Sequence, residues 1–299
     1  VETWVFLLCL ITWLILYIGG YQSLEKILLA MVFTFSIVTL IIAIAMQSTP
    51  FSIQAEDILG GLSFKFPTEH TALALAVFGF TGISYGEIMA YTYWCKEKGY
   101  SNHDGDPKQV KNWIKTMQTD VWITVFLVTI GTIPFFLLGA SILNSQGLYP
   151  PPNGDIIQTL LVMFTSILGE WARWFFIPLT FFVLFSTFLS GTAAFTRTIS
   201  DYFISMGLIV EKASTRQTLI HYIAFLIPAF SCLAYFILPN PILLLMIAGI
   251  WAALGLPIVN IGALYLVNKL DKELQPSNLT KIILTITLVF QLGIACLLY

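Results

Sequence analysis

Apolar stretches of 16 to 30 residues recur eight times along this chain, each bounded by charged, polar or helix-breaking residues. A helix of roughly 20 such residues crosses a ~30 Å hydrocarbon layer, and lipid leaves no partner for unpaired backbone N–H and C=O groups. The expected spans are 3–18, 24–46, 70–97, 113–142, 171–200, 217–237, 241–267 and 280–299, with the first and last near the lower length limit. The fold class is therefore all-α integral membrane with about eight transmembrane helices, and the lipid bilayer is its first partner. Composition removes the alternatives. Of 299 residues 58% are hydrophobic and 10% charged, against roughly 45–50% and 25% in soluble domains. That excludes disorder, a nucleic-acid partner and a small disulfide scaffold. Cys9, Cys95, Cys232 and Cys296 lie in or beside apolar stretches without CxxC pairing, so buried free thiols are expected.

Loops must alternate sides, and cytoplasmic loops carry the excess of Lys and Arg. Loops one, three, five and seven hold 12 of the 14 cationic residues, leaving only Lys65 and Arg173 for the others. The odd loops are thus expected inside, including 96–112 and 202–216, with 47–69 and 143–170 outside. Pro50, Pro67 and Pro150, Pro151 and Pro152 end helices in the two long external loops, which should fold as short surface helices or caps. Val1 opens almost inside an apolar stretch with no charged leader, so the expectation is that an upstream part is missing.

The third span carries the most informative segment, TGISYGE at 81–87. Gly82 and Gly86 lie four apart among Thr81, Ser84 and Tyr85, and Glu87 follows at mid-depth. A carboxylate there costs about 2.5–3.5 kcal/mol on insertion scales, so it should face a cavity, a partner or an ion. Two glycines beside hydroxyls permit local unwinding that exposes helix ends to a bound ion. The competing reading makes Gly82 and Gly86 a packing face and Glu87 a structural acid. Packing explains the glycines but not the acid.

Other charges have plainer roles. Arg197 and Asp201, four apart, can pair along one helical face, as can Glu170 and Arg173 three apart; anchoring is their default role. Asp120, expected about one turn into the fourth span, is either a gate or proton-path residue or a solvated interfacial acid, and Arg197 and Asp201 share the first of those roles as candidates. Ser186, Thr187, Ser190, Thr192 and Thr196 give the fifth span a hydroxyl face, for close packing or for lining by ion or water. Gly249, Gly255 and Pro257 mark a flexible or kinked seventh span. His70, His103 and His221 have no ligand at zinc spacing. The chain contains no Ser elbow, Walker loop or dinucleotide fingerprint, so no enzyme and no resident cofactor are expected.

These residues resemble the Nramp divalent-metal transporters, and more closely a divergent Nramp-like bacterial branch. GGYQSLEKILLAMV (19–32) is similar to the family's join between its fourth and fifth helices, TGISYGEIMAYTYWCKEKGY (81–100) to the broken sixth helix, and IAGIWAALGLPIVNIGALYLVNK (247–269) to the tenth. The resemblance implies a leucine-transporter-type inverted-repeat fold. Residues 1–46 would be the last two helices of the first repeat, 70–267 the second repeat with its broken first helix, and 280–299 an additional helix; the first three helices would be absent. It also implies an inward-running first span, as the charge count does, and a bacterial inner (plasma) membrane. Two segments depart from the family: Ile83, Ser84 and Tyr85 stand where typical members carry Met-Pro-His, and Gly249 replaces the tenth-helix glutamine.

The expected function is secondary active transport of a divalent metal cation, proton-coupled, by alternating access around a midplane site. The ion-binding candidates are Thr81, Gly82, Ser84, Tyr85, Gly86 and Glu87, with Glu87 as metal ligand or proton acceptor. Oxygen donors predominate there, which suits manganese or magnesium. The alternative keeps the architecture and moves a small amino-acid-like solute. An intramembrane enzyme or receptor would need a nucleophile, base and metal gathered in one place, which the sequence does not present. Nothing in the sequence specifies an oligomeric state.

Overall fold

The computed structural model describes residues 2–18, 21–63, 71–100, 107–149, 156–210, 212–238 and 240–296. Every regular element among them is helical: α1 (Glu2–Ile18), α2 (Tyr21–Met46), α3 (Ala55–Gly61), α4 (Thr71–Phe80), α5 (Tyr85–Glu97), α6 (Pro107–Leu138), α7 (Ile156–Leu168), α8 (Arg173–Ser205), α9 (Ala213–Ile237), α10 (Pro241–Val267) and α11 (Asn278–Ala295). Seven helical runs among these residues are long and apolar enough to cross a membrane. The first expected span is α1, an apolar helix of 17 residues, just under that length. The third is divided, with α4 and α5 separated at residues 81–84.

Boundaries shift where caps and prolines act. Helix α6 begins at Pro107 rather than 113, since proline's missing N–H costs nothing at a first helical position. Farther on, Pro134 withholds an N–H from the ladder, and the helix continues into a π-helical turn, Gly139–Asn144. Helix α8 runs on to Ser205, past the expected end at 200. The two long loops expected outside contain short helices, as expected of them. Helix α3 starts with the Gln54 N–H donating to Asp57 Oδ2 at 2.9 Å, and α7 turns Leu161, Met163 and Phe164 into a core. Pro67, Glu69, His70, His103, Pro150, Pro151 and Pro152 lie outside the described residues.

The chain divides into two compact units. Unit 1 comprises Val1–Phe64 and Ile123–Asn240, and unit 2 comprises Lys65–Trp122 and Pro241–Tyr299. A hydrophobic core of unit 1 joins Ile42 and Met46 of α2 to Leu138, Ile142 and Leu143, to Phe164 of α7 and to Phe176 and Leu179 of α8. Phe164 is wholly buried and packs against Phe176 with ring centroids 4.6 Å apart. Of the hydroxyl residues of α8, three are buried within unit 1, whereas Ser190 is half-buried and Thr187 exposed. Ser186, Thr192 and Thr196 are buried and each donates to a carbonyl of α8 itself, at 3.0, 2.7 and 2.7 Å. Their polar atoms are thus satisfied within the helix, and small side chains let neighbours approach.

Unit 2 is held together by backbone proximity. A Cβ at Gly79 of α4 would lie 1.9 Å from the Gly249 carbonyl oxygen of α10, and one at Gly249 would lie 2.5 Å from the Ala76 oxygen. Only small residues permit this approach, which replaces the water-driven hydrophobic effect inside lipid. On α10, the buried Asn260 donates to Gln291 Oε1 of α11 at 3.0 Å, so two polar side chains satisfy each other. Gly249 and Gly255 therefore serve contacts, and α10 remains one continuous helix from Pro241 to Val267.

Candidate functional site

The break between α4 and α5 is built from four residues with different tasks. Thr81 closes α4: its N–H and its hydroxyl both donate to the Val77 carbonyl, at 2.8 and 2.7 Å. Gly82 then takes φ +88°, a left-handed conformation that costs a side-chain-bearing residue roughly 1–2 kcal/mol. Past Gly82, no described N–H returns to the Phe78, Gly79 or Phe80 carbonyls, so the negative end of α4 is left open. Ile83 leads to Ser84, which begins α5 in an extended conformation.

Ser84 and Glu87 form a reciprocal cap. The Ser84 side chain accepts from the Glu87 backbone N–H, and the Ser84 N–H donates to Glu87 Oε2 at 2.7 Å. This is the Ser-x-x-Glu capping box, legible in SYGE at 84–87. Its carboxylate also sits against the positive end of α5, where an anion gains about 0.3–1 kcal/mol. Glu87 therefore lies in the first turn of a new helix, and its side chain is exposed on the surface of unit 2 rather than enclosed in a cavity there. Its carboxylate combines a structural bond with an available second oxygen.

The glycine alternative is resolved by the space around each residue. A Cβ at Gly82 would meet nothing within 4 Å, and one at Gly86 only Ser84 Oγ at 4.0 Å. Among the described residues of unit 2, neither glycine packs closely against another helix. Gly82 supplies the turn, and the packing glycine of this region is Gly79, one turn earlier. Tyr85 has a packing role as well: its ring lies against Gly255 of α10, where a Cβ would come within 2.4 Å of Cδ1. Helix α10 thus fixes α4 through Gly249 and α5 through Gly255. Those glycines are six residues, or about 9 Å, apart along one helix. The contacts advance together along both chains, from Ala76 with Gly249 to Tyr85 with Gly255, so the broken helix and α10 run in the same direction. Alternation requires that of the third and seventh crossings.

The far end of α5 is anchored separately. The Tyr91 hydroxyl donates to the Met117 carbonyl at 3.2 Å, the Tyr100 hydroxyl donates to Asp120 Oδ2 at 2.7 Å, and Lys98 Nζ lies 3.7 Å from the same oxygen. Tyr100 also stacks on Trp113. Because α6 begins at Pro107, Asp120 lies nearly four turns into the helix instead of one. It contacts the chain around Lys98, roughly 16 Å along α5 from Glu87. Asp120 therefore ties α5 to α6 and does not join the break directly.

Arg197 and Asp201 belong to unit 1. Asp201 is held in a two-bond fork by Arg216 of α9, at 2.7 and 3.3 Å, a pairing that local spacing could not suggest. Arg197 Nη1 donates to the Ala193 carbonyl at 2.7 Å. Glu170 and Arg173 pair as spaced, at 3.4 Å. His221 lies near Gln217 Nε2, at 3.3 Å, and the Tyr17 ring, at 4.8 Å between centroids. Among the described residues no three His, Cys, Asp or Glu side chains gather as a metal-holding group. The chemistry of the break is consequently that of open carbonyls, hydroxyls and one carboxylate. Gly79, Gly249 and Gly255 were the functional neighbours hardest to recognise, since only their proximity to a second helix distinguishes them.

Comparison with known proteins gives one match that spans the chain. The family model described as natural resistance-associated macrophage protein-like, Nramp, covers residues 1–299. No curated protein and no solved structure matches the chain significantly.

Proposed function

The chain belongs to the Nramp transporter family, and on that premise we propose that it is a proton-coupled carrier of divalent metal cations whose ion contacts the α4–α5 break. Family membership supports metal-ion transport by a multi-pass membrane protein rather than catalysis. The observation that carries the finer reading is the Ser84–Glu87 cap. The N-terminus of α5, where the carboxylate of an amino-acid-like solute would bind, already holds a fixed carboxylate. What the break leaves available is the open carbonyl end of α4 and an oxygen of Glu87. Both attract cations. Thr81, Gly82, Ser84, Tyr85 and Gly86 shape and cap that site, while Asp120, Arg197 and Asp201 anchor helices.

Hard oxygen donors at this site favour manganese and magnesium over cadmium. In proteoliposomes of the full-length protein, manganese or magnesium uptake should run with an imposed proton gradient, and amino acids should neither enter nor compete. Saturable amino-acid uptake insensitive to manganese would overturn the cation reading. Strong, selective block by trace cadmium, lost on Met89→Ala, would show that a thioether reaches the ion.

The membrane arrangement follows the charge alternation: a plasma-membrane protein with the odd loops inside. Residues 1–46 then close a first inverted repeat, 70–267 form the second, and 280–299 add a further helix. In a cysteine-free background, Ser48→Cys should react with an impermeant maleimide on intact cells, and Asn268→Cys only after permeabilisation. Equal labelling of the two would reject this orientation.

A further inference from the structure

Unit 1 places two thiols that are distant in sequence on one cavity. The Cys9 thiol of α1 donates to the Pro228 carbonyl of α9 at 3.3 Å, and one turn further along α9 stands Cys232. Both are free thiols. Both also line one cavity of about 430 Å³, whose remaining walls include Leu8, Phe181, Leu184, Phe185 and Phe188. The cation reading makes no use of this cavity, and its chemistry differs from that of the break: two soft sulfur atoms in an almost wholly apolar chamber.

We propose that Cys9 and Cys232 form a chelating dithiol site for a neutral, monosubstituted arsenic(III) oxide, with the organic group occupying the cavity. In the reaction, R–As=O condenses with two S–H groups. Two As–S bonds form, the As=O bond breaks, and oxygen leaves as water with both thiol protons. Arsenic stays in its +3 state, so no oxidant or reductant is required. Reactants and product are neutral, which matters because apolar walls oppose the thiolates that ordinary thiol reactions use. A dication such as cadmium fits less well: it needs both thiolates and further ligands, and phenylalanine and leucine supply none. Phenyl or alkyl substituents match those walls, and membrane partitioning delivers such a compound to them. The adduct joins α1 to α9.

The test uses the full-length protein and phenylarsine oxide, read by intact mass and peptide mapping. One phenylarsine per chain should bridge the peptides carrying Cys9 and Cys232, resist monothiols and come off with a dimercaptan. Cys9→Ser and Cys232→Ser should each weaken binding by about 100-fold or more, because chelation gains its strength from the second attachment; Cys95→Ser with Cys296→Ser should leave it unchanged. Leu8→Trp keeps both thiols and fills the chamber, so it should weaken phenylarsine oxide far more than methylarsine oxide. No adduct, an adduct mapped to Cys95 or Cys296, one retained by Cys9→Ser, or a pre-existing Cys9–Cys232 disulfide would overturn the proposal. If a serine variant does not fold, the wild-type peptide map decides alone.

Discussion

Glu87→Gln in the full-length protein is expected to preserve the break and strongly impair coupled cation uptake. Glutamine serves the capping box as glutamate does, since its carbonyl oxygen can accept from the Ser84 N–H. The variant should therefore reach the membrane in normal amount and unfold at nearly the parental temperature. What it lacks is the charge. A hydrogen bond or contact involving a charged group is worth about 1.5–3 kcal/mol, so uptake at limiting cation should fall roughly 10- to 100-fold. Glu87→Ala removes both functions and should add a capping loss of about 1 kcal/mol to the transport defect. The comparison separates the capping role that the structure shows from the ion-binding role proposed for the same carboxylate. Wild-type uptake by Glu87→Gln, measured as initial rates across a range of cation concentrations, would make Glu87 a helix cap and nothing more.

Gly79→Ala should be the most destabilising single methyl in unit 2. The added carbon would sit 1.9 Å from the Gly249 oxygen and 2.7 Å from the Ala253 nitrogen. Both are backbone atoms of α10 and cannot rotate aside, so α4 and α10 must separate. Overpacking ordinarily costs about 1–3 kcal/mol, and a clash between two helix backbones belongs at or above the top of that range. Two alanines serve as controls. At Gly82 the added methyl has open space but an unfavourable φ of +88°, which costs roughly 1–2 kcal/mol. At Gly262, in a helix with nothing within 4 Å, alanine should be neutral or stabilising by up to about 1 kcal/mol. Thermal unfolding in detergent should rank the variants Gly79, then Gly82, then Gly262. A Gly79→Ala protein as stable as the parent would mean that α4 and α10 do not pack by backbone contact.

Much of the architecture follows from the one-dimensional pattern because lipid is an unforgiving solvent. It requires long apolar helices bounded by polar residues, so the spans and the break at 81–87 are legible in the order of residues. The capping box was equally visible in SYGE, yet Glu87 stood out for its cost in a membrane rather than for its place three residues after a serine. A carboxylate in a long apolar run looks like a buried charge until the run is known to stop and restart.

The remaining features arise from contacts between distant segments, which spacing along one helix cannot encode. Gly82 and Gly79 are equally plain as letters; only the approach of α10 makes one a turn and the other a contact. Asp201 has a cation four residues before it in sequence, but the fold also brings Arg216 across from α9 into a two-bond fork. Cys9 and Cys232 are unremarkable separately, and folding alone makes them a pair. By itself the sequence determined a multi-pass helical protein with one interrupted span, because hydrocarbon thickness and backbone hydrogen bonding act along the chain. Tertiary structure decided which glycines touch, which charges pair and which thiols share a cavity, because those energies depend on separations of a few ångströms between residues that are far apart in sequence.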